Sequence, residues 1–338
     1  MGSPLRLVID APTEDAADIA WVALAADVEA TEAALSRHRE TSELVRLVRA
    51  IRSNPGGGPI AVSRRLRIAL VAADRARRIT DGRFDPRILA DLERLGDGGV
   101  PLTDGTSVGG SGTTDGTSDG ASGRRRPVTG PILSLERRRP AGSSGATPDT
   151  PPAGTGARLT LNEPVDLGGI GKGLAIRWGA RAVERALPGV PFLVDAGGDI
   201  VVGGPLPGPL APWHVGVEDP RGPESPLAVV DVRGAICTSS IARRRWTSPD
   251  GDAVHHLIDP STGRPGGNGL LAVTVAGPDP AWAEVWSKAL FLVGPRGIAE
   301  TARGRGLAAW WVTVDGTLEM TPAARPITVW TPDLPRRP

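Results

Sequence analysis

Residues 165–173 are Val-Asp-Leu-Gly-Gly-Ile-Gly-Lys-Gly, and this stretch predicts the local structure around which the rest of the fold is arranged. Apolar residues that run into a glycine-rich turn, followed by helical periodicity over residues 173–187, predict an extended segment, a tight turn and a helix. Such a turn exposes backbone N–H groups at the positive end of the helix, where they can hold a phosphate. A plain structural joint has the same glycines, so the glycines alone leave both interpretations open.

Two familiar nucleotide motifs do not fit this turn. A P-loop needs glycine at the position of Asp166 and Ser or Thr at the position of Gly173. The Rossmann spacing counted from Gly169 needs glycine where Leu174 stands, which weighs against a nicotinamide or flavin oxidoreductase. Asp166 and Lys172 favour another kind of ligand site, because only two of the 39 basic residues are lysines.

The composition predicts a soluble globular protein. The 338 residues are 40% hydrophobic and 23% charged, and the formal net charge of +1 gives no overall field that would attract nucleic acid. Cys237 is the only cysteine, so no intrachain disulfide can form. Residues 1–30 have no apolar signal segment and no run of 18 apolar residues exists, so we expect no membrane span and a cytoplasmic chain as it stands. An exported or membrane-anchored protein is the alternative if an upstream segment is missing.

Helical and strand patterns lie on both sides of the glycine turn. They are mixed without strict alternation, which favours an α+β fold over a doubly wound sheet. The predicted helices are 14–51 (with a break near 36–41), 64–79, 173–187, 282–293 and 296–303. The predicted strands are 5–10, 192–195, 213–217, 227–232, 271–276 and 307–314.

Residues 96–156 differ in composition from the rest of the chain. Gly, Ser, Thr, Asp and Pro dominate, and such a stretch buries too little apolar surface to offset its ordering entropy. We therefore predict a largely disordered segment, with one short strand near residues 128–135. A segment of this length is either a linker between domains or an insertion into one.

Four further motifs have both a structural and a functional interpretation. Residues 80–86 (TDGRFDP) and 194–199 (VDAGGD) are typical of turns, yet both present carboxylates. Residues 255–263 (HHLIDPSTG) place His256 before a turn acid, Asp259, where a histidine can serve as a base. Glu284 and Lys288 are i,i+4 neighbours on one predicted helix, which on a surface would be a weak ion pair.

In this order the motifs resemble those of the ApbE-type flavin transferases. The matching stretches are MGS (1–3), SEL (42–44), TDGRFDP (80–86), DLGGIGKG (166–173), GGDI (197–200), WHVGVEDP (213–220), TSS (238–240), HLIDPSTG (256–263) and AEVWSKAL (283–290). The resemblance covers nearly the whole chain outside the low-complexity stretch. It implies one α+β unit of mixed sheets and helices with a FAD cleft, formed by residues 1–95 and 157–332 and interrupted by the insertion 96–156.

The resemblance also implies a reaction and its residues. FMN would pass from FAD to a Ser or Thr hydroxyl of an acceptor protein, with release of AMP, and the acceptor would carry a motif like Asp-Gly-x-Ser/Thr-Gly-Ala-Ser/Thr. The positions that match FAD contacts are Met1, Arg83, Phe84, Asp85, Asp166, Lys172 and His256. The implied catalytic residues are His256, Asp259 and Lys172, and the implied Mg²⁺ ligands are Gly169 through its carbonyl, Glu284 and Ser287.

Departures from the family pattern concentrate at the implied metal. Glu284 stands where the family has Asp, and Lys288 stands where the family has Thr. A carboxylate suits Mg²⁺, but a protonated lysine cannot ligate a metal and repels one. The alternative function is therefore a FAD-binding relative that has lost metal-dependent transfer, with Lys288 in place of the metal.

Overall fold

A computed structural model describes residues 3–100, 130–136, 157–205, 213–222 and 225–332. Its helices are α1 (Glu14–Leu35), α2 (Glu43–Ser53), α3 (Arg64–Ile79), α4 (Leu89–Arg94), α5 (Gly171–Ala186), α6 (Pro280–Val293) and α7 (Pro295–Gly304). The first strands are β1 (Leu5–Ile9), β2 (Ile60–Val62), β3 (Leu133–Leu135), β4 (Ala157–Leu161), β5 (Phe192–Ala196), β6 (Asp199–Gly203), β7 (Trp213–Val217), β8 (Ala228–Val232) and β9 (Ala235–Ser240). The later strands are β10 (Arg245–Thr247), β11 (Ala253–His255), β12 (Ile258–Asp259), β13 (Arg264–Pro265), β14 (Leu270–Gly277), β15 (Ala308–Thr313), β16 (Leu318–Met320) and β17 (Thr328–Trp330).

A seven-stranded antiparallel sheet organises the molecule, in the order β1-β5-β6-β9-β14-β15-β16. Its first strand comes from the start of the chain, and Leu7 of β1 lies opposite Val194 of β5. Side chains of successive strand residues point to opposite faces of a sheet, so each face needs its own cover. Phe192 and Val194 pack against α1 and α5, whereas Leu193 faces the three-stranded sheet β17-β8-β7.

The α+β fold class predicted from the sequence is confirmed. The helix over residues 64–79 has the predicted bounds, and the predicted break near 36–41 separates α1, which ends at Leu35, from α2, which Ser42 caps. Strands β6 and β9 have no counterpart among the predictions. Residues 197–200 were expected to be a turn only, but Asp199 already pairs with Ala196 as the first residue of β6.

Most of the predicted insertion lies outside the described residues. The expected strand near 128–135 is present as β3, which pairs with β4 in the three-stranded sheet β2-β4-β3. Ile132 beside it is fully buried, and its N–H donates to Asp74 Oδ1 at 3.0 Å. Residues 130–136 therefore belong to the packed body of the molecule.

Among the helices that the structure describes, none combines the length and apolar character needed to cross a membrane.

Candidate functional site

The glycine-rich turn that precedes α5 forms one wall of a cleft. Asp166 Oδ1 accepts the N–H of Gly168 at 2.8 Å, and the Leu167 carbonyl accepts the N–H of Gly171 at the same distance. These two bonds close the turn, and the second of them uses the N–H of Gly171, the first residue of α5. The prediction of a turn followed by a helix is confirmed at this point.

Helix α6 closes the start of α5 from the other side. Ile170 at the N-cap supplies no side-chain bond, and Glu284 of α6 instead accepts the Gly173 N–H on Oε2 at 2.8 Å. A side chain at residue 173 would lie 2.6 Å from the Pro280 carbonyl oxygen and from Ala281 Cα. The two helices meet this closely because residue 173 is glycine.

Several residues predicted from the sequence line the same cleft, although they come from distant parts of the chain. These are Arg83, Phe84, Asp85, Asp166, Gly169 and His256. Arg244 and Lys288 also line it. Met1, another predicted FAD contact, lies outside the described residues. Motifs that lie far apart in the sequence thus contribute residues to one concave surface.

The segment 80–86 packs against the glycine turn: the Pro86 carbonyl accepts the Asp166 N–H at 2.7 Å, and a Cβ on Gly169 would lie 2.7 Å from Phe84 Cε2. Asp81 and Gly82 have φ angles of 52° and 77°, so the chain reverses here, and the Phe84 N–H donates to Thr80 Oγ1 at 3.1 Å. Asp85 accepts three hydrogen bonds from the Arg87 guanidinium, at 2.6, 2.9 and 3.2 Å. The turn interpretation of this motif is confirmed, and the turn places Phe84 and Asp85 in the cleft lining, while their role as FAD contacts stays a prediction.

A buried ionic network underlies Asp166. Arg37 Nε lies 2.8 Å from Asp166 Oδ2, and Arg37 is only 5% exposed. Asp97 accepts hydrogen bonds from both Arg37 and Arg244, which ties the network to the cleft lining. Sequence reasoning missed Arg37 and Asp97, since neither lies in a matching motif and a pairing over 60 residues leaves no local pattern.

Lys172 does not line the cleft directly but pairs with a buried carboxylate, Asp199. Burial lowers the pKa of Lys172, but the charges of Asp199 and Glu284 and the hydrogen bond to Asp199 raise it by more, so the lysine stays protonated. Asp199 also accepts the Thr238 N–H at 3.0 Å. The sequence predicts only a turn role for Asp199. The rarity of lysine singles out its partner, Lys172, but no local pattern connects the two residues.

His256 lies in the cleft as a neutral imidazole. Burial first, then the charges of Arg244 and Lys288, lower its pKa to about 3. Its Nδ1 is buried and has no hydrogen-bond partner among the described residues. The expected support from Asp259 is not formed: the Asp259 carboxylate accepts the N–H and hydroxyl of Ser261 at 2.9 and 2.7 Å, inside the turn. Asp-Pro-Ser sequences favour this local bond, which competes with a longer reach to a histidine.

Of the three residues expected to bind Mg²⁺, Gly169 and Glu284 lie beside Lys288, whereas the Ser287 hydroxyl is bonded elsewhere. Glu284 is 1% exposed, with Oε1 at 3.2 Å from Lys288 Nζ. The Ser287 hydroxyl donates to the Glu284 carbonyl at 2.9 Å and shares a 2.8 Å bond with Ser239. Within the described ranges, no cluster of three or more His, Cys, Asp or Glu residues suits a metal ion. Mg²⁺ binds proteins through one or two free carboxylates together with waters and substrate phosphates, and both oxygens of Glu284 already have partners, so these residues do not fit it.

The whole chain was compared with known proteins, and it matches one family. A sequence model described as the ApbE family matches residues 1–311. The FAD:protein FMN transferase of Escherichia coli (strain K12) is 36% identical over 154 residues, which is 45% of this chain and 43% of the relative. The FAD:protein FMN transferase of Treponema pallidum (strain Nichols) is 34% identical over 139 residues, 38% of each chain. The matched region therefore spans less than half the length of these curated relatives.

Solved structures agree on the fold over nearly the full length. The ApbE protein from Thermotoga maritima superposes with a TM-score of 0.74 at 23% identity, over 96% of both chains. The flavin transferase ApbE from Vibrio cholerae gives a TM-score of 0.69 at 23% identity, over 97% of this chain and 96% of that chain. The family match covers well over half of the sequence, and the convergence of its motifs on one cleft agrees with it: the chain belongs to the ApbE family.

Proposed function

We propose that this chain transfers FMN from FAD to a hydroxyl of an acceptor protein and releases AMP. The observation that carries the proposal is the convergence of residues 83–85, 166–169, 256 and 288 on one cleft at the start of α5. Curated relatives of the family bear the name FAD:protein FMN transferase, which gives the reaction. The chemistry of the cleft suits a diphosphate, because the cationic side chains of Arg83, Arg244 and Lys288 line it beside the glycine turn.

Five of the predicted FAD contacts have roles in this proposal. Phe84, which is 5% exposed and packed in the core with Leu66 and Leu174, adds an apolar side chain to the cleft lining, and Arg83 supplies a cation at the cleft wall. Asp85 and Asp166 are already held by Arg87 and Arg37, so they offer rigid acceptors for ribityl or ribose hydroxyls or for the adenine amine. Lys172 is proposed to contact the diphosphate with an ammonium that Asp199 holds in place and whose charge Asp199 balances before FAD binds.

The reaction is a displacement at phosphorus. The acceptor Ser or Thr oxygen attacks the phosphorus on the riboflavin side, a new P–O bond forms, and the bond from that phosphorus to the bridging oxygen breaks. AMP leaves with the bridging oxygen and both electrons of that bond, and the hydroxyl proton passes to a base. His256 is the candidate base, since it is neutral and its Nδ1 has no partner in the described part of the chain. Asp259 has a structural role in the adjoining turn.

The proposal includes the family's acceptor motif but no step at a metal ion. The acceptor is proposed to carry a motif like Asp-Gly-x-Ser/Thr-Gly-Ala-Ser/Thr, which gives the assay its substrate. Mg²⁺ would neutralise phosphate charge in the family's reaction. No step of this proposal passes through Mg²⁺, because Lys288 lies between Gly169 and Glu284 in this chain.

The proposal treats residues 96–156 as an insertion within a single catalytic unit. Residues before and after that segment share one core: Leu66 and Ala73 of α3 pack with Leu161, Leu174 and Val285. A linker between independent domains would leave the two sides with separate cores.

The test is an in vitro flavinylation assay. Purified protein is incubated with FAD and a peptide that carries the acceptor motif, AMP is measured by chromatography, and the peptide is measured by mass spectrometry. We expect equal amounts of AMP and of FMN-modified peptide. His256→Ala is expected to lower the rate by about 100-fold or more, the usual contribution of a positioned base. The matched control is His214→Ala, a 60% exposed histidine on β7 outside the cleft, which should keep the wild-type rate.

The outcomes separate three possibilities. AMP without modified peptide would show hydrolysis of FAD instead of transfer and would refute the proposal. Tight FAD binding without AMP, with this peptide and with whole acceptor proteins, would also refute it. Equal loss of rate in both histidine variants would remove His256 from the role of base.

A further inference from the structure

We propose that Lys288 supplies, as a fixed ammonium, the positive charge that a divalent cation provides in relatives, so that this chain holds the FAD diphosphate without Mg²⁺. The inference deepens the proposed function and rests on it for the identity of the ligand. It arises from the disagreement between the metal expected from the family and the contacts of the residues that would bind it.

Two of the three expected ligand residues, Glu284 and Ser287, already form bonds within the chain. Both carboxylate oxygens of Glu284 have partners, the Gly173 N–H on one side and Lys288 Nζ on the other. The Ser287 hydroxyl is fully buried between the Glu284 carbonyl and Ser239. Glu284 reaches α5 because it is one methylene longer than aspartate, so its carboxylate caps the helix and is not free for a metal.

The lysine stem fills the space toward the third position. A Cβ on Gly169 would lie 3.3 Å from Lys288 Cδ and 3.5 Å from Cε, so the stem runs alongside the glycine turn from α6. The Lys288 side chain is 15% exposed and belongs to the cleft lining. Lys288 thus bridges Glu284 and the turn at Gly169, the place where a cation between these residues would be.

A second observation concerns how the charges group. Two carboxylates that are each 1% exposed, Asp199 and Glu284, hold one lysine each, and these are the only lysines in the sequence. Besides burial, which raises it, the charges of all four groups shift the pKa of the Cys237 thiol, which the carboxylates raise and the lysines lower, so the two pairs lie near each other. Each carboxylate already balances one lysine, so neither keeps a net negative charge that would hold a divalent ion.

The experiment measures FAD affinity and metal binding directly, with no need for turnover. Flavin fluorescence gives the Kd for FAD in EDTA and in saturating MgCl₂, and loss of the free Mn²⁺ EPR signal reports a bound metal. We expect the wild-type Kd to be the same within twofold in both buffers, with no stoichiometric Mn²⁺. Lys288→Met should weaken FAD binding in EDTA by about tenfold or more, because a charge-assisted contact is lost.

Three variants keep the test clear of folding artefacts. Lys288→Met leaves Glu284 buried without its cation, so the double variant Glu284→Gln/Lys288→Met removes both charges and should show the same weakening. The matched control is Arg78→Met on α3, which breaks another i,i+4 ion pair, at 60% exposure and outside the cleft, and should leave the Kd unchanged. Glu284→Asp/Lys288→Thr, which restores the family pair, should bind Mn²⁺ and gain at least tenfold in FAD affinity with Mg²⁺.

The results distinguish this inference from the proposed function. A wild-type protein that binds one Mn²⁺, or that loses FAD affinity tenfold in EDTA, would overturn the inference even if FMN transfer occurs. An unchanged Kd for both Lys288 variants in EDTA would overturn it as well. Metal-independent FAD binding with no AMP formed under any condition would support the inference and refute the transferase.

Discussion

At the scale of single residues, Asp199 shows how the site depends on a paired buried charge. Its carboxylate is 1% exposed and holds the Lys172 ammonium together with the Thr238 N–H. Removal of one partner of such a pair costs more than the pair contributes, because the other charge stays buried and unpaired. Asp199 therefore bears on both the stability of the fold and the position of Lys172.

The Asp199→Asn variant should be destabilised by about 3 kcal/mol, because the amide keeps a hydrogen-bond acceptor but leaves the Lys172 charge uncompensated. The midpoint and slope of urea denaturation measure the effect. The control is Glu218→Gln, which removes an acid that pairs with Arg243 at 51% exposure and should change stability by less than about 0.5 kcal/mol. Equal effects of the two substitutions would contradict the role given to the buried pair.

At the scale of elements, the contact between α5 and α6 places the glycine turn beside the cleft. The Gly173→Ala variant inserts a methyl group 2.6 Å from backbone atoms of α6, which cannot move as a flexible side chain would. We expect a loss of about 1–3 kcal/mol in the free energy of unfolding, the usual cost of overpacking. Thermal and urea denaturation measure it.

The control for this contact is Gly304→Ala at the end of α7. A Cβ there meets no atom within 4 Å, and alanine is the better helix former, so stability should stay the same or rise by a few tenths of a kcal/mol. If Gly173→Ala proved as harmless as Gly304→Ala, the close approach of α5 and α6 would not be needed for the fold.

The elements that could be predicted from sequence are those with strong local signals. Helix α3 has a 3.6-residue apolar period after the Ser63 cap, and its predicted bounds match. Strand β9 was missed because Ala235–Ser240 is buried on both sides and ends in small polar residues, so it shows no alternation. β6 was missed because its first residue, Asp199, follows two glycines and has the composition of a turn.

The same distinction applies to the site. Residues within recognisable motifs, such as Phe84, Asp166 and His256, were assigned to one cleft from sequence, and the structure brings them together. Arg37 and the local bond of Asp259 to Ser261 were not anticipated. The first depends on a contact between distant segments, and the second on a choice between two hydrogen bonds that sequence spacing does not decide.

At the scale of the whole molecule, the N-terminal segment packs into the part of the chain that follows residue 156. Strand β1 forms the edge of the main sheet by pairing with β5, and α1 packs on α5 with Leu24 and Val183 in one core. The cleft therefore draws its walls from segments on both sides of residues 96–156. A change that separates these segments should disturb the site together with the fold, since one set of contacts holds both.

The pH dependence of stability tests the buried state of the cleft. Burial lowers the pKa of His256 to about 3 and that of His255 to about 4. A histidine in the unfolded chain has a pKa of about 6.5. Below that pH the unfolded chain binds protons that the folded chain does not bind, so the free energy of unfolding falls as the pH falls. Above about pH 7 both states are neutral and neither histidine contributes a slope.

The size of the effect follows from one proton per histidine. His256 alone should account for a slope of about 1.4 kcal/mol per pH unit between about pH 6 and about pH 4, and half-buried His255 for less. His256→Gln should remove that part of the slope in urea denaturation at stepped pH, whereas His214→Gln, on an exposed side chain, should keep the wild-type slope. A wild-type slope in His256→Gln would mean that His256 is solvated and protonated at pH ~5, and a base of ordinary strength would then face the acceptor hydroxyl.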